Sequence, residues 1–472
     1  MAVVSQKSSP FNVKRIAVIG AGPCGLASAK YLVAENAFAT IEVFEQQAEV
    51  GGVWHYTPFL TERVPIPQTT PWVPLERPSW PKEAPAPIFS NPMYEKLNTN
   101  IPKRLMQYSD QEFLSESTLF PSRQEVQSYL VKYSQDIRHM IFFSTQVENV
   151  SLSHENGQDL WTLMAKSTVT GEQTTKKYDA VVVANGHYSV PWIPSVPGMK
   201  DFSAAYPSVI SHSKIYRSPS NFKDKKVIIV GNSASGLDIG VQISHVCKKP
   251  LLNSISSPSA FTPPVHDRAK EEVPKIVEYI VEGRAVKFED GRIEKDIDAI
   301  VYATGYLYSF PFLKSMVPPL VTTGRRTIGL YQQIFHIKHP TLAFSALGQK
   351  IIPFPVSEGQ AAAMAKVWSN NLSLPSKNEM EAWENSRVEE LGDGTNFHVF
   401  GYPKDAAYVN FLHDWTKGAQ NGFAKEPPFW DPKLCMQREA YAEIRYRFTE
   451  GGNKAKTLEE LGFDFEVSEA KL

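Results

Sequence analysis

Two glycine-rich stretches are the places where this chain is built to hold a charged ligand. The first, Gly20–Gly25, reads GAGPCG, with Gly20, Gly22 and Gly25 on a GxGxxG spacing around Pro23 and Cys24. In that spacing the first glycine makes a tight turn, the second lets backbone approach a pyrophosphate, and the third lets helix and strand pack closely. The following helix would aim free N–H groups and a partial positive charge at the phosphates. Glu45 stands twenty residues after Gly25. An acid there, ending the next strand, accepts hydrogen bonds from a ribose hydroxyl. Together these residues predict a site for an ADP-containing dinucleotide. Just downstream, EVGGVW (Glu49–Trp54) sets two glycines beside Val53 and Trp54. That composition predicts backbone closely apposed to a flat ligand, with Gly52, Val53 and Trp54 among the contacts.

The second stretch, Gly231–Gly236, reads GNSASG and follows the apolar run KVIIV. Gly231, Asn232, Ser233, Ala234, Ser235 and Gly236 would form the same strand–loop–helix cradle. Ser233 takes the place of the middle glycine, which is expected to require a slightly wider turn. Twenty residues after Gly236 comes Ser256, in LLNSISSP, with no carboxylate nearby. A carboxylate there would favour NAD and repel the 2′-phosphate of NADP. Its absence, with the hydroxyls of Ser256 and Ser257, points to NADP(H). No arginine lies in this stretch, so Lys248, Lys249 or a more distant arginine is left to meet the phosphate.

Other chemistries find little support. No Ser–His–Asp arrangement and no metal-ligand spacing stands out. The three cysteines, Cys24, Cys247 and Cys435, are far apart and form no CxxC pair. They predict neither a disulfide framework nor a dithiol redox centre, and they fit a reducing compartment. Cys24 reads as a small filler residue in its loop.

The elements around the loops follow from local pattern. Lys14–Ile19 and Thr40–Glu45 read as strands and Leu26–Glu35 as the helix between them. Ser122–Asp136 has Val126, Tyr129, Leu130 and Tyr133 at helical spacing. Ile141–Ser153 and Trp161–Lys166 read as strands joined by a turn at Asn156–Gly157. Thr57–Pro92 is rich in proline, which excludes regular helix or central strand. It is expected to be an extended excursion, pinned by Trp72 and Trp80 packing on the body. An internal echo then appears: DAVVVANG at Asp179–Gly186 and DAIVYATG at Asp298–Gly305. Each is an apolar strand ending in a small-residue turn, and each follows one glycine loop. The chain therefore reads as two similar α/β nucleotide-binding units, the second inserted in the first. His187–Asn221 and Tyr306–Pro311 would be the crossings. The first unit is assigned 1–205 and 301–472, the second 206–300.

At 472 residues, with 42% hydrophobic and 21% charged residues, the chain can bury a large core. A formal net charge of −1 gives no general attraction to nucleic acid or anionic lipid. Met1–Asn12 is polar and lacks an apolar signal core, and no apolar run reaches the ~20 residues that span a bilayer. A cytoplasmic protein without membrane anchor or nucleic-acid partner is expected, and homo-oligomerisation is left open.

These motifs resemble one family, the class B flavin-containing monooxygenases. The likeness includes GAGPCG, EVGGVW, GNSASG and DAIVYATGY. YPSVISHSKIY at Tyr206–Tyr216 resembles the family fingerprint FxGxxxHxxx[FY]; His212 and Tyr216 match, while Tyr206 and Ser208 depart from Phe and Gly. TNIPKRLM at Thr99–Met106 resembles the segment carrying the family's active-site asparagine, here Asn100. Leu330–Gln360 resembles the closing segment of the flavin domain, and YPKDAAYVNFLHDW at Tyr402–Trp415 is most like fungal members. The likeness runs from about Arg15 to Phe448.

The resemblance implies a glutathione-reductase-like pair of Rossmann domains, with FAD at Gly20–Gly25 and NADP(H) at Gly231–Gly236. It implies further cofactor contacts at Thr99, Asn100, Ile101, Val147, Thr304, Gly305 and Gln360. It also implies a reaction in which NADPH reduces the flavin and O₂ gives a C4a-hydroperoxide. A soft sulfur or nitrogen nucleophile of a small thioether, thiol or amine then takes one oxygen atom. Asn100 would bond the flavin, the oxygen or the nicotinamide. His212 is expected either to stabilise the linker to the NADP unit or to be an ordinary surface histidine. Ser357–Gln360 is expected to start a helix whose N-terminus points at the flavin. A Baeyer–Villiger monooxygenase shares both loops, but its fingerprint usually ends in Trp–Pro where this chain has Tyr216–Arg217. A protein that only holds FAD and NADP is the non-enzymatic alternative.

Overall fold

The computed structural model describes residues 11–59, 64–155, 157–256 and 269–465. Two parallel-stranded sheets organise it. The first has seven strands in the order Leu330–Tyr331, Phe335–His336, Leu342–Phe344, Ala180–Val183, Arg15–Ile19, Thr40–Phe44, Ile141–Phe142. Its last five strands run parallel. The second has five parallel strands in the order Lys270–Val273, Lys248–Ser254, Lys226–Val230, Ala299–Tyr302, Ile210–His212.

Apolar runs dictate these sheets. Ile16, Ala17 and Val18 are all buried, as are Ala180 to Val183. Such runs suit strands covered on both faces. Side chains alternate between those faces. Ile16, Val18, Ala180 and Val182 face a core shared with the helices Pro23–Glu35 and Pro353–Trp368. Ala17, Ile19, Val181 and Val183 face the antiparallel sheet Thr145–Glu155, Gln158–Ser167, Gln173–Tyr178, through Val147, Trp161, Leu163 and Tyr178.

The second sheet repeats the scheme. Val227, Ile229 and Val301 meet the helix Ala234–Ser244 through Ile239 and Ile243. Ile228 and Ile300 meet the hairpin Ile276–Ile280 and Ala285–Phe288 through Tyr279 and Phe288. Ile193, Met199 and Phe202 also pack in this second core. The unit therefore reaches back beyond residue 206, and the strand Ala299–Tyr302 carries it past residue 300. The two crossings pair with one another, Val190–Pro191 antiparallel to Tyr306–Leu307.

Several boundaries differ from the sequence reading. The first helix opens at Pro23, inside the glycine loop, because proline suits the first helical position. Ile141–Ser153 splits at Ser144, whose φ is 50°, into two strands serving different sheets. Gly157 turns with φ 77°, while Asn156 lies outside the described residues. The helix at Arg123–Tyr133 carries a reciprocal cap between Ser122 and Glu125 and buries Val126, Tyr129, Leu130 and Tyr133.

Among its described residues the proline-rich excursion forms only isolated bridges, Gln68 with Ile193 and Ser79 with Ile88. Trp72 and Trp80 do not pin it; they are 43% and 56% exposed. Polar contacts hold it instead. Gln146 Nε2 donates to Glu76 O at 2.8 Å, Ser309 Oγ to Pro71 O at 2.7 Å, and Asn91 Nδ2 to Val53 O at 2.7 Å. With so many prolines the segment has few N–H groups, so side chains carry these contacts: Gln146 and Ser309 donate from the body to its carbonyls, and Asn91 donates back to the body. Among the described residues, no helix is long and apolar enough to cross a membrane.

Candidate functional site

Both glycine loops sit where a parallel strand ends and a helix begins. Gly20 has φ 103°, and a Cβ there would come 2.6 Å from Ala184 O. Gly231 has φ 109°, and its Cβ would come 2.7 Å from Ala303 O. A Cβ on Gly25 would strike the carbonyl oxygen of Gly20, and one on Gly236 that of Gly231. The echo strands supply the facing residues: Ala184 N donates to Ile19 O at 2.9 Å, and Ala303 N to Val230 O at 2.8 Å. Even the aspartates act alike. Asp179 accepts from Lys14 N and Arg15 N, and Asp298 from Lys226 N, at the start of each glycine-loop strand.

Ser233 needs no wider turn. Its φ, ψ of −87°, −173° matches Gly22 at −72°, −179°. Both angles lie in ordinary extended space, so backbone conformation does not call for glycine here. What stands close at position 22 is a neighbour: a Cβ on Gly22 would lie 3.4 Å from Gly52 Cα, at the near edge of ordinary contact, leaving little room for a longer side chain. Gly51 N donates to Ala21 O at 3.0 Å, laying EVGGVW over the first loop. Gly51 has φ 119° and a Cβ there would meet Gln127 Oε1. Trp54 and Cys24 pack at the edge of the main core, as does Ile101. Burial pushes the Cys24 thiol up to about 12, which fits a packing role rather than a reactive one.

Glu45 follows the strand Thr40–Phe44 and is buried. Its Oε2 accepts from Ala21 N at 2.8 Å and its Oε1 from Gln47 N at 2.9 Å. Burial raises its carboxyl to about 7 against the pull of these backbone donors. Neither loop helix has a side-chain cap at its N-terminus. Uncapped N–H groups, a strand-end acid and cradles that a Cβ would fill are the features a bound dinucleotide requires.

Ser256 is exposed and lies just past the strand whose Ser254 O accepts from Gly231 N at 3.0 Å. Ser257 falls outside the described residues. Lys248 and Lys249 begin that same strand, so they stand roughly 20 Å from its loop end. They are at the wrong end of the sheet to meet a phosphate at Gly231.

The remaining residues divide. Thr99 is buried and fixes its loop: Thr99 Oγ1 donates to Ile101 O at 2.9 Å, and Arg445 Nη1 donates to Thr99 O at 3.0 Å. Asn100 is exposed on that loop. Thr304 Oγ1 donates to Trp192 O, and Gly305 turns with φ 83°. Val147 is buried with Ile19 and Phe44. Gln360 is also buried, with Ala346 N donating to its Oε1 at 2.7 Å and its Nε2 donating to Tyr408 OH at 3.0 Å. It holds Ala346 at φ 53°. The helix expected to start at Ser357 starts at Pro353, because prolines fit the first turn, where N–H groups are free anyway.

His212 is fully buried, so it is no surface histidine. Lys214 N donates to its Nδ1 at 3.1 Å, which leaves Nε2–H to donate to Gly305 O at 3.1 Å. Burial lowers its pKa to about 3, so the ring is a neutral bridge between the last strand of the second sheet and the Gly305 turn. Residues missed in the sequence gather beside it. Tyr306 stands edge-on to His212 and Tyr188, and His187 packs on Tyr188 and Tyr308. His187 Nε2 and Arg217 Nε and Nη2 are buried without a protein partner. Buried orphan donors of this kind mark a place for ligand atoms. The signal was in the echo itself, since Gly186–His187–Tyr188 and Gly305–Tyr306 end the twin strands.

Comparison with known proteins agrees with this geometry. The chain matches the family model described as flavin-binding monooxygenase-like over residues 89–261 and 270–438. Residues 18–68 match an NAD(P)-binding Rossmann-like domain. The thiol-specific monooxygenase of Saccharomyces cerevisiae is 33% identical over 456 residues, covering 92% of this chain and 93% of that one. The flavin-containing monooxygenase FMO GS-OX-like 9 of Arabidopsis thaliana is 33% identical, with 88% and 91% covered. Among solved structures, S-allyl-L-cysteine S-oxygenase from Allium sativum matches with a TM-score of 0.74 at 26% identity, over 96% of this chain and 98% of that one. Twin cradles and family match together identify the chain as a member of the flavin-binding monooxygenase-like family, an oxidoreductase that uses FAD and NADP(H).

Proposed function

We propose that the chain transfers one atom of O₂ to the sulfur of a small thiol or thioether, with NADPH as reductant and amines as weaker substrates. The reading rests on one observation above all. Two equivalent dinucleotide cradles lie in one chain, with the aromatic and orphan-donor cluster of His187, Tyr188, Tyr306 and Arg217 beside their echo turns. The names of the yeast thiol-specific monooxygenase and the Allium S-oxygenase favour sulfur. The three free cysteines fit a reducing, cytoplasmic setting.

Reduced flavin, when bound, supplies the activation of oxygen; the protein binds, orients and excludes water. Gly20–Gly25 and Glu45 hold the FAD adenosine diphosphate, and Gly231–Gly236 with Ser256 hold that of NADP(H). Gly52, Val53, Trp54, Ile101, Val147, Thr304, Gly305 and Gln360 border or support the two ligands. Thr99 fixes the loop that presents Asn100, whose amide bonds the nicotinamide or the reacting oxygen. The second unit runs from about Ile193 through Tyr302, wider than 206–300 on both sides, and the paired crossings join it to the first.

Purified protein under air, with NADPH and a thioether, should yield one sulfoxide per NADPH oxidised, its oxygen drawn from ¹⁸O₂. A yellow protein with no oxygen-dependent NADPH consumption would defeat the proposal. A lactone formed from a cyclic ketone in preference to the sulfoxide would redirect it to Baeyer–Villiger chemistry. In Asn100→Ala, turnover should fall roughly 100-fold, the scale for one preorganised donor. Unchanged sulfoxidation in that variant would remove Asn100 from the mechanism.

A further inference from the structure

At the opposite end of the first parallel sheet from the Gly20 loop, two residues of one hairpin and a third far along the chain converge on one point. Asp159 stands opposite His154 across the antiparallel pair Thr145–Glu155 and Gln158–Ser167. His154 Nδ1 is 3.0 Å from Asp159 Oδ1, and His339 Nδ1 is 3.0 Å from Asp159 Oδ2. One ligand atom from each residue lies within 4.8 Å of the other two. A tetrahedral cation with bonds near 2.05 Å sets its donors about 3.3 Å apart. Closing the triangle asks only for a swing of His154, whose side chain is 62% exposed.

The surroundings orient the other two. Thr341 Oγ1 donates to Asp159 Oδ2 at 3.3 Å and accepts from the buried Trp161 Nε1 at 3.0 Å. His339 N donates to His336 Nδ1 at 3.0 Å, and the two rings stack at 5.3 Å with a 5° tilt. Such outer partners are what keep metal ligands in place. Each imidazole meets its own oxygen of Asp159. A divalent cation uses all three.

We infer that His154, Asp159 and His339 form a zinc-class cation site that clamps the antiparallel sheet to the first parallel sheet. Imidazole ligands favour zinc and its transition-metal neighbours over magnesium and calcium. On binding, each ring offers Nδ1 as a lone pair and carries its proton on Nε2. The site is structural, not catalytic. Thr341 O accepts from Val181 N, where the strands begin, whereas the Gly20 loop lies where they end. The two are thus at least about 10 Å apart along the strands.

The test is zinc titration of untagged, FAD-loaded protein by calorimetry, with thermal unfolding in parallel. One zinc per chain should bind at micromolar concentration and raise the unfolding midpoint, while magnesium should do neither. His154→Ala and His339→Ala should each weaken zinc binding at least about 100-fold and abolish the midpoint shift. Thr341→Val should weaken it about tenfold, the usual cost of an outer partner. The exposed His154 keeps the test independent of folding, and an unchanged 450 nm flavin band checks each variant. Zinc binding equal in wild type and both histidine variants, or none at micromolar zinc, would overturn the inference.

Discussion

The two glycine loops share a backbone but not an environment. Gly22 and Gly25 are buried, and Gly51 and Gly52 lie over the loop. In the second loop Ser233, Ala234 and Ser235 are exposed, and Gly231 and Asn232 are only half-buried. In the first unit the strand Thr40–Phe44 leads into the buried acid Glu45; the corresponding region of the second unit offers the exposed Ser256. The same fold thus makes one closed cradle and one open one. A closed cradle suits a cofactor held through many turnovers, an open one suits a cofactor that arrives reduced and leaves oxidised. The difference lies in what covers each loop, not in the loop.

The sharpest way to break this comparison is to block both loops at the same position. Gly25→Ala drives a methyl into Gly20 O, and Gly236→Ala drives one into Gly231 O. Gly25→Ala should abolish FAD retention and give a colourless, poorly folded protein. Gly236→Ala should stay yellow, reduce normally with dithionite, and lose NADPH-driven reduction by roughly 30- to 150-fold, the equivalent of about 2–3 kcal/mol. Absorbance at 450 nm and anaerobic stopped-flow reduction report the two outcomes. Loss of flavin in both variants would mean that the cradles are not independent.

Glu45 gives the next effect. Its ionised form is the one that accepts ribose hydroxyls, yet burial holds its carboxyl near 7 in the absence of that partner. Binding must therefore release a proton below that pH. FAD affinity of the apoprotein should rise about tenfold from pH 6 to pH 8, the span expected for one group titrating near 7. Stability of the apoprotein should move the other way. A folded pKa above the ordinary 4.5 means the folded chain binds more protons, so stability falls as pH climbs from about 4.5 through 7. Glu358, also buried and raised to about 7, adds to that fall. Glu45→Gln should weaken FAD about tenfold at pH 8 and flatten the affinity profile, as fluorescence titration would show.

What the sequence disclosed follows the same physics. Glycine roles in a dinucleotide loop are dictated by backbone, so GAGPCG, GNSASG and the twin DA(V/I)V strands could be read directly. The strands Ala180–Val183 and Ala299–Tyr302 were legible because both faces are covered and the runs are wholly apolar. The strand Gln173–Tyr178 was not, because its exposed face leaves QTTKKY polar. His212 gave no sign of burial, since the groups that satisfy it, Lys214 N and Gly305 O, are backbone. Trp72 and Trp80 misled because size was taken for burial. The His154, Asp159 and His339 cluster had no spacing to find, as its members meet only through the fold.

The smallest effect is the most exacting for the comparison. If cover and not loop geometry separates the cradles, exchanging their middle residues should be asymmetric. Ser233→Gly leaves φ, ψ values that either residue adopts freely, in an exposed turn. The Michaelis constant for NADPH should change by less than about twofold, within the ±0.5 kcal/mol typical of surface substitutions. Gly22→Ser places a side chain against Gly52 Cα, already at 3.4 Å from the added Cβ, where the covering segment cannot retreat without breaking Gly51 N to Ala21 O. FAD affinity should then fall at least about tenfold, about 1.4 kcal/mol. Equal losses from the two substitutions would place the distinction in the loops themselves and not in the segment that covers the first.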